Sequence, residues 1–411
     1  MTAPSRLYFW DTARAVLILL VAALHTAAAY GTVTPWWHVR SAETAKLFDL
    51  LLSVLDGFLM PTLFFIAGCF APGSFERKGA AGFFSAKAWR FAPTLIIYMI
   101  TLLPLMAYVG YVSRTPDPVG FPAYLAAWLA SGADLGVRLY STVADGMATR
   151  DIMSPHHLWF LVVLTGIFGG YALWRTVFPA RPGHADRPAP ADRAEAARRR
   201  PVRLPMLLAA GCAMAAACIL IALGVPDGGW IRATALVMVQ PTRLPLYVGF
   251  FALGAYASAR GGLSRPWPGA WWLWLLAAIT SLGVMFTAYP AVLGPMRGPL
   301  PLVAAYYLGR TFLCLGVVGL LAALATRRPT PEDVPGRLSR TLAASSYHVY
   351  LLHMPVVVIL QYLLLDAALS LYVTFGAVWL GAVVVCVLAS RIWRGGAARV
   401  RAKTRPRATT A

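Results

Sequence analysis

The sequence predicts an all-α, polytopic membrane bundle of about ten transmembrane helices with both termini in the cytoplasm. Three observations carry that prediction. Of 411 residues, 59% are hydrophobic and only 13% charged, with a mean hydropathy of +0.65, whereas a soluble domain carries about a quarter charged residues. Apolar runs of roughly twenty residues, the length that crosses a hydrocarbon core of about 30 Å, recur along the chain. Basic residues also alternate between the segments that join those runs.

In chain order the spans are expected at 13–32, 48–71, 91–112, 158–178, 204–224, 243–260, 270–288, 307–325, 342–364 and 370–390. Several hold Pro or Gly, which membrane helices tolerate where neighbours satisfy the backbone. With the N-terminus inside, the inward segments carry 26 Lys and Arg and the outward loops eight. That bias follows the positive-inside rule and gives the net charge of +20 a topological meaning rather than a nucleic-acid one. Residues 179–203, rich in Pro, Ala and Arg, read as a basic cytoplasmic linker. The linker divides an N-terminal sub-bundle, 1–178, from a C-terminal one, 204–390, and 391–411 form a basic tail. In the long outward loop 113–157, the apolar Phe121–Ala130 is expected at the interface or folded back over the bundle. The five cysteines all lie in apolar runs and read as buried thiols, with no metal-ligand spacing.

The first span holds Arg14 and His25. Eleven residues make three helical turns plus about 20°, so the two share a face roughly 16 Å apart along the axis. Arg14 then sits near one membrane surface and His25 near mid-bilayer. An ionisable residue there is expensive and marks a functional site by default, and His exchanges protons near neutral pH. The plainer readings are an interhelical hydrogen bond for His25, a snorkelling anchor for Arg14, or a signal peptide cleaved near Ala27–Ala29.

Four further groups stand out. Asp56, within span two, calls for a cation or polar partner and could orient His25 or serve structure alone. Arg77 and Lys78 precede Lys87 and Arg90, which lie three apart on one helix side; Arg and Lys so grouped suit phosphate oxygens, although inward loops are basic for topology in any case. His157 and Trp159 stand where the outer loop enters span four, as a polar entrance or as part of an aromatic belt. Tyr350 and His353 share a face of span nine, lining a cavity or bonding a neighbouring helix. The sequence has no Gly-rich phosphate loop, zinc-binding HExxH or nucleophile elbow, which argues against nucleotide-driven pumps, metalloproteases and serine hydrolases.

These residues resemble the membrane acyltransferase-3 family over most of the chain. The resemblance rests on Asp11-x-x-Arg14-x10-His25, Leu63–Gly68 (LFFIAG), Lys87-x-x-Arg90-x-x-Pro93, Leu158–Leu161 (LWFL), Leu244–Tyr256 and Tyr350–Pro355 (YLLHMP). The wording HLWFL and YHVYLLHMP is similar to the glucan-biosynthesis protein C branch of that family. The resemblance implies transfer of an acyl group, acetyl or succinyl, from cytoplasmic acyl-CoA to a carbohydrate hydroxyl beyond a bacterial-type inner membrane, with no metal. His25 would be the catalytic His, grouped with Arg14 and Asp11; Arg14 would serve the donor, and Lys87 and Arg90 would match the family's basic pair, to which the neighbouring Arg77 and Lys78 add further candidate donor contacts. Two positions depart from the family pattern: Lys87 replaces an Arg, and Ala67 stands where Ser is frequent.

A basic cytoplasmic mouth for the phosphates and a neutral His as base agree with that chemistry. Direct attack on the thioester and an acyl-histidine intermediate both remain open. The rival functions are a proton-coupled transporter relaying through His25, Asp56 and His353, and a glycan or lipid binder.

Overall fold

Helices dominate a computed structural model that describes residues 8–133, 137–141, 152–179, 202–261, 263, 267–293, 298–326 and 336–404. They are α1 Tyr8–Ala27, α2 Lys46–Ile100, α3 Leu102–Val112, α4 Phe121–Ser131, α5 Trp159–Val177, α6 Leu204–Ala222, α7 Leu244–Ala259, α8 Trp271–Ala288, α9 Leu300–Ala325, α10 Arg337–Leu363 and α11 Leu371–Thr404. Most of the expected linker 179–203 and the end of the basic tail lie outside the described residues.

Among the described residues, eight helices are long and apolar enough to cross a membrane. Their surfaces explain why they need one. The window in Leu371–Gly396 has a mean hydropathy of 2.3 yet is only 22% buried, and Leu220, Ile279 and Leu380 point outward. Apolar side chains left uncovered by protein along whole helices suit hydrocarbon as the surrounding solvent. Cys212 lies on such an outward face, so the expectation that all five thiols are buried fails there; the other four are buried.

Two expected spans, 48–71 and 91–112, are joined by helix rather than by a loop. α2 runs through Pro61, Pro72 and Pro93 and breaks at Gly79, whose φ of 65° and ψ of 177° lie outside the helical region. Glycine adopts that conformation without the Cβ penalty other residues meet. The stretch expected as span six forms the 16-residue α7, opened by a 3₁₀ turn at Pro241–Arg243.

The chain divides into two compact units. The first comprises residues 1–52 and 334–411; in it α1 packs against α10 and α11. The second comprises 53–333, with α9 packed on α8 and α6. In this second unit α2 and α7 meet backbone to backbone: a Cβ on Gly68 would overlap the Phe251 carbonyl, and one on Gly254 would overlap the Phe65 carbonyl. The glycine that closes the LFFIAG run is therefore a packing requirement.

An all-α expectation omits a small antiparallel sheet in the second unit, ordered β1-β2-β3. β1 is Arg138–Ser141, β2 Gly229–Arg232 and β3 Met238–Val239, with Leu139 opposite Ile231 and Ile231 opposite Val239. These strands are too short for an alternating pattern to stand out from the surrounding loops. Beside them α4 folds back as helix: Trp128 is fully buried, and its indole N–H donates to the Met99 carbonyl at 3.2 Å.

Candidate functional site

In the first unit the site is built around His25. Gly31 and Pro35 follow α1, and the helix ends at Ala27, so His25 falls in its last turn rather than at the middle of a span. The chain beyond it stays with the protein: Ala28, Ala29 and Tyr30 are buried, and Asp49 at the start of α2 accepts from the Thr32 and Val33 amides.

His25 Nδ1 lies 2.8 Å from His353 Nε2, and the two rings are nearly parallel, with centroids 5.1 Å apart. His353 is fully buried. Its Nδ1 lies 2.8 Å from the Tyr350 carbonyl and 3.1 Å from that of Val349. A carbonyl oxygen only accepts, so His353 Nδ1 carries the proton, and in a neutral ring Nε2 is then an acceptor. The His25 Nδ1–H must donate to it, which leaves the lone pair of neutral His25 on Nε2. Backbone carbonyls of α10 thus set the tautomer of a histidine on α1.

The other side of His25 is also held. Trp37 stacks on it with a centroid separation of 5.6 Å and donates its indole N–H to Gln361 Oε1 at 2.8 Å. The Gln361 amide nitrogen in turn donates to the Thr26 carbonyl at 3.0 Å. Neither Trp37 nor Gln361 was among the sequence candidates, although an amide inside an apolar span is itself a signal. Tyr350 is buried with its ring centroid 6.0 Å from that of His353. Arg14 forms an ion pair of 3.0 Å with Asp11 three residues earlier, and 36% of its side chain remains open.

In the second unit Asp56 has different company from that first considered for it. Arg243 Nη1 lies 2.7 Å from Asp56 Oδ1, and Arg310 Nη2 lies 3.0 Å from Oδ2; Arg310 Nη2 also donates to the Asp56 carbonyl at 2.7 Å. The group that orients His25 is His353. Arg243 also lies 3.6 Å from Asp227, which accepts from Tyr306 and Tyr307 at 3.2 and 3.1 Å. Arg310, inside span 307–325, is the intramembrane charge the sequence reading passed over.

At the helix break, Arg77 and Lys78 are exposed, and Lys87 is half-buried one turn before the exposed Arg90. The Lys87 ammonium sits 4.8 Å from the Phe168 ring and 5.8 Å from that of Phe83. Burial, and then the charges of Arg90, Lys78 and Arg77, push it down to about 8. Arg175 joins the same aromatic group, 5.0 Å from the Phe75 ring and donating to the Tyr171 hydroxyl. Tyr171 and Arg175 line a cavity of about 1000 Å³ between α5 and α7, together with Gly166, Gly170 and Ala252. Its mainly apolar lining suits hydrocarbon.

Trp159 packs against Trp230 and Tyr247, and His157 is buried. The unusual residue of that pair is His156, whose φ of 43° puts a non-glycine residue in the left-handed region while its ring stacks on Trp128. Among the described residues no group of three or more His, Cys, Asp or Glu could hold a metal ion.

A family model described as "Acyltransferase domain" matches residues 7–391. The protein named "Glucans biosynthesis protein C" from Escherichia coli is 29% identical over 160 residues, 39% of this chain and 36% of that protein. Its namesake from Salmonella gallinarum is 29% identical over 190 residues, 45% of this chain and 43% of the relative. The aligned stretch therefore spans less than half of either relative. No solved structure matches.

Proposed function

This chain belongs to the acyltransferase-3 family, and on that premise we propose that it is a membrane O-acyltransferase moving an acyl group, acetyl or succinyl, from cytoplasmic acyl-CoA to a hydroxyl of an extracytoplasmic glycan. The observation that carries the reading is the tether from the Tyr350 carbonyl through His353 to His25. It aims a basic Nε2 lone pair from a ring clamped between His353 and Trp37.

In the proposed step His25 Nε2 accepts the acceptor hydroxyl proton as the oxygen attacks the thioester carbonyl. The C–S bond breaks, and the imidazolium returns its proton to the departing thiolate. While His25 is cationic, its Nδ1–H bond to His353 Nε2 becomes charge-assisted and stronger. Such positioned acid–base catalysis contributes typically 10²–10⁴-fold. In a two-step route the same Nε2 would carry the acyl group.

We assign Arg14, Lys87 and Arg90 to the donor phosphates, with Arg77 and Lys78 further out. Ten crossings follow if the two arms of α2–α3 each count as one and the 16-residue α7 is added to the other seven helices. Both termini then face the cytoplasm of a bacterial-type inner membrane, as the basic residues favour. The reading is tested by incubating the purified protein with labelled acyl-CoA and a glycan and following free CoA thiol. Acceptor-dependent thiol release is expected. Substrate movement across vesicles without thioester consumption would instead identify a transporter.

A further inference from the structure

We propose that Asp56, clamped by Arg243 and Arg310, is the hydroxyl-recognising element of a saccharide-binding site in the second unit. The proposal rests on the acyltransferase reading for the identity of the acceptor, and on its own geometry for the site.

The ion cluster is asymmetric in its exposure. The side chains of Arg243, Arg310 and Asp227 are 12%, 3% and 7% exposed, whereas that of Asp56 is 45% exposed. A purely structural ion pair in a membrane helix gains from hiding its carboxylate as well as its guanidinium groups. Here the guanidiniums are buried, and the side chain of the acid is nearly half open. A charged group this open inside a span faces a water-filled space rather than hydrocarbon. One end nitrogen of each arginine holds Asp56, while the Nε atoms of both are buried without a hydrogen-bond partner, a cost in unsatisfied donors.

Two guanidiniums fix both the position and the rotation of the carboxylate, since Arg243 takes Oδ1 and Arg310 takes Oδ2. The lone pairs that remain can accept from two neighbouring hydroxyls, the pattern that a pyranose ring edge presents. Aromatic rings stand nearby for the apolar C–H face of a sugar: Tyr289 stacks on Tyr306, whose hydroxyl accepts from Arg310, and Trp159 packs at a tilt against Tyr247. A metal cation is disfavoured by the paired guanidiniums and an anionic nucleotide by the outward carboxylate. A neutral polyol meets neither repulsion. By the charge-derived topology Arg243 and Trp159 stand at the outer ends of their helices, the side from which a glycan acceptor comes.

Equilibrium dialysis of the full chain in nanodiscs, with labelled glucose oligosaccharides and no acyl-CoA, tests the site. Wild type should bind saturably, and Asp56→Asn should bind at least about tenfold more weakly, the loss expected for charged hydrogen bonds. Asp56→Glu covers the case in which the Asn variant does not fold. It still neutralises the arginines and should keep the wild-type melting temperature, but its displaced carboxylate should also bind about tenfold more weakly. Wild-type affinity in the Glu variant, or no oligosaccharide binding by wild type, overturns the site. Thiol release from acyl-CoA reads the enzyme separately: binding that is lost in both variants of a wild type without transferase activity would refute the acyltransferase and leave the saccharide site standing.

Discussion

At the scale of single residues, the chemistry depends on which nitrogen of His25 holds the proton, and His353 decides that. A buried imidazole bonded to two carbonyls of its own helix cannot present an N–H toward His25 while neutral. Replacing His353 with Ala removes the acceptor and frees the His25 ring to rotate and change tautomer. Steady-state kinetics should then show kcat reduced on the order of 10²-fold, within the range for acid–base catalysis, with the KM for acyl-CoA nearly unchanged. His353→Gln, whose amide oxygen can accept from His25, should recover part of kcat; equal loss in both variants would reduce His353 to a packing residue. That Arg14 and His25 belong to one helix was legible in the sequence, because the apolar run between them is unbroken. The partner of His25 was not, because His353 is 328 residues distant. Arg310 was missed for a different reason. Counting loop charges assigns every Lys and Arg except Arg14 and Arg310 to a side of the membrane, so a charge inside a span drops out of that count.

Elements follow simpler rules, and here the sequence was read best. Long apolar runs became long helices, while the errors lie where a run is broken by one residue. Gly79 bends α2 without the polar stretch by which a loop is recognised, and the three short strands lie in segments between helices, where no period develops. The α2–α7 crossing depends on Gly68 and Gly254, so Gly68→Ala should push the two backbones apart and cost about 1–3 kcal/mol, the usual range for overpacking. Thermal unfolding in detergent checks this, and an unchanged midpoint would contradict the close approach. The arm around Lys87 carries a pH prediction. Its ammonium, lowered to about 8 by burial and neighbouring charge, is cationic below that pH and neutral above it. Attraction for donor phosphates should therefore fall as pH rises through about 8. Calorimetric titration with CoA should record that fall in wild type and a flatter profile in Lys87→Arg, because guanidinium stays charged. Parallel profiles would remove Lys87 from the donor site.

For the whole molecule, the claim is vectorial: donor from the cytoplasm, acceptor from the opposite face. Charge distribution is the only whole-chain signal that speaks to sidedness, which is why topology could be argued from sequence while the packing of distant helices could not. In oriented vesicles, acceptor labelling is expected only when acyl-CoA and glycan occupy opposite compartments, and equal labelling with both on the cytoplasmic side would contradict transfer across the membrane. Single cysteines placed between residues 180 and 201 should react with impermeant reagents only from the cytoplasmic side. The central claim, that His25 Nε2 is the base for acyl transfer, meets its most direct test in the turnover of His25→Ala at saturating acyl-CoA, with donor binding measured on the same preparation. The account predicts donor binding close to wild type and turnover reduced on the order of 10²-fold or more; a variant that binds donor and keeps a tenth of wild-type turnover would contradict it.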